Sequence, residues 1–148
     1  MNKWAGGLIV LFGVAHTLGA LTVLGAANHA DTWISGELWT QDLTDMSSAM
    51  SAYWLSMNSF GPPFIVIGAT VLWLDRRGIT PPLFIAWTLA AWTVLDCILA
   101  GPGFGQGLIV LVAAGLLITA AHRATSSERT RRTTLSASAT DTDSGARR

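Results

Sequence analysis

Four long apolar runs dominate this sequence and limit the folds open to it. They cover about residues 4–27, 53–74, 83–100 and 104–121, and each would be apolar on every face of a helix. About 20 apolar residues are needed to cross the ~30 Å hydrocarbon layer of a membrane. A soluble helical core is the alternative, but its helices would show a polar face to water. We therefore expect an all-α, four-helix transmembrane bundle within residues 1–123.

The placement of Lys and Arg predicts the orientation of this bundle. All nine basic residues precede the first run, join the second to the third, or follow the fourth. In a four-span protein these three places lie on one side, which is the cytoplasmic side by the positive-inside rule. We therefore expect a multi-pass protein of the cell membrane with both termini in the cytoplasm. A cleaved signal peptide is the alternative for the first run, although that run exceeds the roughly 7 to 15 residues of a signal core.

The connections between the runs carry further predictions. The long outer loop, about residues 28–52, has Trp33 and Trp39 as anchors and is either a plain interfacial loop or a lid over the bundle. Gly61-Pro62-Pro63 predicts a kink in the second span, because proline removes a backbone donor. The polar segment 124–148 has no apolar periodicity and predicts a disordered tail.

Polar side chains inside apolar runs are the candidate functional groups, since each is costly to leave unpaired in hydrocarbon. His16, Asp96 and Asn58 are the main ones. At ~1.5 Å per residue, they lie about 15, 8 and 9 Å from the outer ends of their runs. Three different spans thus place polar groups in the outer half, which predicts one cluster reachable from outside.

Three interpretations of this cluster stay open. The side chains could merely satisfy one another inside the bundle. They could form an enzyme site, with His16 as base, Asp96 as acid or charge stabiliser and Asn58 as hydrogen-bond donor, because burial disfavours the charged forms and eases proton exchange. They could also line a binding or ion pathway, although the inner halves of the spans lack the polar residues that conduction needs.

Several neighbours are candidates for binding a lipophilic substrate near these groups. They are the aromatic residues Trp54, Phe60 and Trp92 and the polar residues Thr17 and Gln106. One His and one Asp are too few for a metal site, and His29 and His122 lie at the membrane edges, too far out to be a second haem ligand. We expect no cofactor and no nucleic-acid partner.

Other partners are also predicted from the sequence. The lipid bilayer and a small hydrophobic ligand are expected, and a membrane-protein partner or a second copy of the chain is a further option. Small residues at helical spacing, Ala15 with Gly19 and Gly103 with Gly107, would let helices approach closely. We expect these pairs to pack within the bundle rather than between copies.

The chain resembles a family of short bacterial membrane proteins grouped as domain of unknown function 6463. The resemblance runs from about residue 3 to 123 and rests on Lys3-Trp4-Ala5-Gly6, Gly13, His16, Tyr53-Trp54, Phe60-Gly61-Pro62, Gly68, Trp73, Arg76-Arg77-Gly78 and Pro82. It implies four spans in a bacterial cytoplasmic membrane, with the helix-one histidine and the Phe60-Gly61-Pro62 element as shared features. The outer turn at 101–106 matches the family only loosely, and an acid at Asp96 is outside its pattern.

We therefore expect an outward-facing polar pocket that binds or processes a small lipophilic molecule. If the protein is an enzyme, acid–base isomerisation, cyclisation or hydration is the expected chemistry. The alternative is a non-catalytic accessory or structural subunit of a larger membrane complex.

Overall fold

The computed structural model describes residues 1–42, 44–100 and 106–146, and the regular structure in these ranges is helical. The helices are α1 (Asn2–Thr22), α2 (Ala30–Ile34), α3 (Ser48–Ser56), α4 (Gly61–Arg76), α5 (Leu83–Ala100) and α6 (Gln106–Ala146). Two short 3-10 turns, Ala26–His29 and Glu37–Thr40, flank α2. The predicted all-α class is confirmed.

A line of glycines, here called the glycine seam, joins α1 and α4 in antiparallel packing. Gly6 faces Gly68 and Gly13 faces Gly61, so the pair on each helix is about two turns apart. A Cβ on Gly13 would lie 2.6 Å from the Gly61 carbonyl oxygen, and one on Gly68 would lie 2.8 Å from the Gly6 carbonyl oxygen. Only glycine lets the two backbones approach this closely.

The remaining long helices complete the core. The α6 helix packs against both α5 and α1. The buried core residues come from all four long helices: Ala5, Ile9, Phe12, Phe64, Val71, Ala86, Leu89, Val110, Ala113, Ala114 and Leu117. Many are alanines, because close helix packing in an apolar solvent depends on small side chains rather than on hydrophobic exclusion.

Large apolar side chains cover the outside of the molecule. Trp4, Leu11, Val66, Phe84 and Leu108 are each more than half exposed. An apolar outer surface of this extent is typical of contact with a membrane rather than with water. The structure thus agrees with the expectation that the helices have no solvent side.

Three helical stretches are long and apolar enough to cross a membrane: Asn2–Thr22, Ser48–Arg76 and Gly107–Ser127. The apolar part of α5, Leu83–Leu99, is shorter. The whole of α5 has 18 residues, about 27 Å at ~1.5 Å per residue, which is close to the thickness of the hydrocarbon layer.

The Gly-Pro-Pro element breaks the second apolar run rather than kinking it. The α3 helix ends at Ser56, and α4 begins at Gly61 with prolines in its first turn, where no intrahelical acceptor is available for a backbone N–H. The Ser59 hydroxyl joins the two ends, since it donates to the Ser56 carbonyl oxygen at 2.9 Å and accepts from the Gly61 N–H at 3.3 Å. The predicted span 53–74 is therefore two helices with a polar junction.

The outer segment between α1 and α3 folds back onto α3. The α1 helix ends at Thr22, five residues before the predicted limit of its run, and Gly25 follows in the left-handed region (φ 71°). The Trp33 indole donates to the Ala49 carbonyl oxygen at 2.9 Å. Farther along, hydrogen bonds from Thr44 hold the pKa of the Asp42 carboxyl below its usual value.

The structure differs from the sequence prediction at the C-terminal end of α6. A disordered tail was predicted from residue 124, whereas the helix continues to Ala146. Hydroxyl groups support its first extra turns, since Thr125 donates to the Ala121 carbonyl oxygen and Ser126 to that of His122. No Gly or Pro occurs between residues 116 and 144 to end the helix.

The glycine seam predicts a matched pair of substitutions on α1. Gly13→Ala places a methyl group against the Gly61 backbone, which cannot rotate away as a side chain could, so we expect a loss of about 1–3 kcal/mol in the free energy of unfolding. Gly7→Ala meets nothing within 4 Å and should keep or raise stability. Thermal unfolding of the detergent-purified variants checks both, and equal melting temperatures would contradict the seam.

Candidate functional site

A cavity of about 280 Å³ lies where the α1–α4 pair meets the α5–α6 pair. Its lining residues are Phe12, His16, Leu55, Phe60, Phe64, Trp92, Thr93, Asp96, Gly107 and Val110. They come from the C-terminal parts of α1 and α5, the N-terminal parts of α4 and α6, and the end of α3. Because α1 and α4 are antiparallel, the cavity lies at the end of the bundle opposite Lys3 and Arg76.

His16 lines this cavity, and its ring carries an unsatisfied polar atom. Its Nε2 is buried and has no hydrogen-bond partner among the described residues. The ring lies against Phe60, with 4.1 Å between ring centroids. A buried polar atom without a partner costs about 1–3 kcal/mol, so it is normally satisfied by protein, water or ligand.

An aromatic cluster forms the wall beside His16. The rings of Phe12 and Phe60 are stacked at 5.7 Å, and Phe64 lies 5.4 Å from Phe12 and 5.6 Å from Phe60. Phe12 and His16 are one turn apart on α1, as Phe60 and Phe64 are at the start of α4, so the glycine seam sets the four rings against one another. The wall is apolar and suits a lipophilic surface.

Asp96 lies on the opposite wall, on α5. Trp92 is one turn earlier on the same helix, and both side chains line the cavity and are exposed. The carboxylate makes no hydrogen bond or ion pair with the described residues. Thr93 lies between them, but its hydroxyl donates to the Leu89 carbonyl oxygen at 2.8 Å and is satisfied within the helix.

The family of this chain follows from its sequence. The model of DUF6463, described as a family of unknown function, matches residues 1–125. The chain belongs to this family. No curated protein and no solved structure matches it. The resemblance predicted from the residues is thereby confirmed over nearly the same range, and two features that carry it, His16 and the Phe60-Gly61-Pro62 element, meet at the cavity.

The cavity brings together four of the residues predicted from sequence as site residues. His16, Asp96, Trp92 and Phe60 all line it. They come from α1, α5 and the junction before α4, so only the tertiary fold unites them.

Three other predicted residues do not line this cavity. Thr17 is largely buried, with its hydroxyl against Gly61 and without a hydrogen-bond partner among the described residues. Trp54 is 45% exposed on α3, and Asn58 is exposed in the junction between α3 and α4. The side chain of Gln106 lies outside the described residues.

The outer loop does not cover the cavity in the described part of the chain. None of the residues that line the cavity comes from the described parts of this loop before α3, residues 28–42 and 44–47. Instead Trp33 is anchored to α3 by its hydrogen bond and by an edge contact with Tyr53, with 5.8 Å between ring centroids. This placement favours the interpretation as an anchored loop over that as a lid.

Sequence reasoning missed part of the lining. Phe12, Leu55, Phe64, Gly107 and Val110 contribute to the cavity but were not predicted to do so. Helical spacing could have identified two of them, because Phe12 lies one turn from His16 and Phe64 lies one turn from Phe60.

Of the two small-residue pairs predicted to allow close helix packing, only the second includes a residue at a close helix contact. A Cβ on Gly19 would meet nothing within 4 Å, so no close helix approach occurs at the Ala15–Gly19 pair. A Cβ on Gly107 would lie 3.0 Å from the Thr93 methyl group, which is a close α5–α6 contact. Gly103 lies outside the described residues.

A second cavity of about 240 Å³ lies between α4 and α5. Its lining residues are Val66, Ile67, Thr70, Phe84, Ile85, Thr88 and Leu89. It begins one turn from Phe64 on α4 and one turn from Thr93 on α5, so it adjoins the first cavity along the same interhelical groove. Ionisable side chains line only the first cavity, and the described residues contain no group of three metal-ligating side chains.

The buried atoms of His16 and Thr17 that lack hydrogen-bond partners among the described residues predict how substitutions there affect the melting temperature. His16→Phe removes a buried unpaired nitrogen, and Thr17→Val removes a buried unpaired hydroxyl, so we expect neither variant to lower the melting temperature. Only His16→Phe should weaken retention of a ligand, because only His16 lines the cavity. Thermal unfolding and native mass spectrometry measure the two effects, and a strong loss of stability in His16→Phe would show that the imidazole is a structural group.

Proposed function

We propose that this protein is a four-span membrane protein, with both termini in the cytoplasm, that binds a small lipophilic molecule in its outward-facing cavity. The observation that carries the proposal is His16, whose buried Nε2 has no hydrogen-bond partner among the described residues, in the lining of an otherwise largely apolar cavity. Such an arrangement is typical of ligand sites, where an apolar lining supplies affinity and a few polar groups fix orientation.

The size of the cavity supports a small ligand. Its volume of about 280 Å³ is near the lower limit of about 300–1,000 Å³ found for ligand sites. The adjoining cavity between α4 and α5 would let such a molecule extend towards the lipid. A lipophilic ligand would therefore have access from the membrane as well as from outside.

His16 and Asp96 are the groups that would exchange protons with a bound molecule, because both line the same cavity from opposite helices. An imidazole and a carboxylate can serve as base and acid in isomerisation, cyclisation or hydration. We give Asn58 no role in this site, since its side chain is exposed in the junction.

The four-span arrangement rests on the lengths of the helices and on charge. Three stretches are long and apolar enough to cross, and α5 approaches the required length. All Lys and Arg residues then fall on one side, and the positive-inside rule supports an orientation in a bacterial inner membrane with those residues in the cytoplasm.

The single native cysteine permits a clean test of this orientation. In a Cys97→Ala background, we expect Ser35→Cys in the outer segment to react with a membrane-impermeant maleimide in intact cells. Ser126→Cys, which follows Arg123 at the cytoplasmic end of the fourth span, should react only after the membrane is permeabilised; both positions are exposed. The opposite labelling pattern would overturn the orientation.

Ligand binding is tested by native mass spectrometry of the detergent-purified protein. We expect the wild type to carry a co-purifying small molecule, and Leu55→Trp to lose it, because a larger side chain at Leu55 fills the cavity from α3. Leu11→Trp is the matched control, since Leu11 is exposed on the outer face of α1 and does not line the cavity.

The outcome also separates the two function classes predicted from sequence. Wild-type protein without any bound small molecule, but with a membrane-protein partner, would contradict the ligand site and favour an accessory subunit. A molecule retained equally by Leu55→Trp would place it outside this cavity.

A further inference from the structure

The charge of the cavity points to the class of its ligand. Among the lining side chains, only that of Asp96 carries a charge in the formal count at pH 7. A carboxylate at membrane depth is expensive to leave unpaired and normally meets a cation or a set of hydrogen-bond donors. The described residues give Asp96 neither.

The chain has no Lys or Arg at this end with which to pair that carboxylate. Its basic residues occur only at position 3, at 76–77 and from 123 onward, and the segment 101–105 contains none. The antiparallel packing of α1 with α4 and of α5 with α6 puts residues 3, 76–77 and 123 at the opposite end from Asp96. With the His16 imidazole neutral, as the formal count takes it, a positive charge for Asp96 has to come from another molecule.

The aromatic rings around the cavity fit the same kind of ligand. Trp92 lies one turn from Asp96, and the Phe12–Phe60–Phe64 cluster forms the facing wall. The face of an aromatic ring carries negative potential and attracts alkylammonium groups, most strongly when they are desolvated. A carboxylate beside several aromatic rings selects a cation that also has apolar surface.

We infer that the ligand is a lipophilic cation, an amine or quaternary ammonium compound whose charged nitrogen lies near Asp96 and whose apolar groups lie among the aromatic rings. This inference rests on the proposed function, since it names the ligand class of the same cavity. His16 is a further polar group in the same lining.

Two probes of nearly identical shape test the charge alone. Benzyltrimethylammonium and neopentylbenzene differ by a quaternary nitrogen in place of a carbon, and both are small enough for the cavity. Binding to the full chain in a non-ionic detergent is measured by isothermal titration calorimetry. We expect the cation to bind about tenfold or more tightly than its neutral counterpart.

Charge variants give the matched control. Asp96→Asn should weaken cation binding by about tenfold or more and leave the neutral probe unchanged, whereas Asp96→Glu should retain cation binding. Asp75→Asn removes the same charge at the opposite end of α4 and should change neither probe. If Asp96→Asn does not fold, the comparison of the two probes on the wild type still decides the question.

The results separate this inference from the proposed function. If both probes bind equally and Asp96→Asn has no effect, the cation inference is wrong and the lipophilic site stands. If neither probe binds to the wild type, both proposals fail.

Discussion

The close approach of α1 and α4 is the constraint on which the rest of the structure depends. Gly6 and Gly13 on one helix and Gly61 and Gly68 on the other bring the two backbones into contact and fix their antiparallel alignment. Because Gly61 has no side chain, the His16 ring and the Thr17 hydroxyl can lie directly against the start of α4. The same contact brings Phe60 over the imidazole, so the packing that holds the pair together also builds one wall of the cavity.

The cavity is then a consequence of how the two helix pairs meet. The α6 helix packs on α1 and on α5, whereas α4 and α5 face each other across the groove that holds both cavities. The break between α3 and α4 widens one end of this groove, since the chain there turns through Ser59 instead of continuing as a helix. The polar groups His16 and Asp96 line the cavity at that end.

Much of the fold, and part of the site, could be predicted from the sequence. Apolar runs indicated the helices, and comparing depths along the runs indicated that His16 and Asp96 would both lie in the outer half of the bundle. Depth cannot give the rotation of a side chain about its helix, which is why Thr17 and Trp54 do not line the cavity. Asn58 was misplaced for another reason, because the prolines break the helix on which its depth was counted. The heptad spacing of the seam glycines was visible, but spacing alone does not say which helix they face.

A buried polar atom without a partner among the described residues needs a physical reason for its persistence. Replacing His16 by an apolar residue would remove a cost of about 1–3 kcal/mol, so packing alone gives no reason for an imidazole there. In the proposed four-span arrangement Asp96 would pose the same problem more sharply, because a carboxylate at membrane depth is costlier to leave unpaired than an imidazole nitrogen. The proposed ligand would account for both groups, which line one cavity from different helices. Binding sites commonly lower the stability of a protein for this reason. Polar groups that are positioned to bind a ligand do not hydrogen-bond to one another when the ligand is absent.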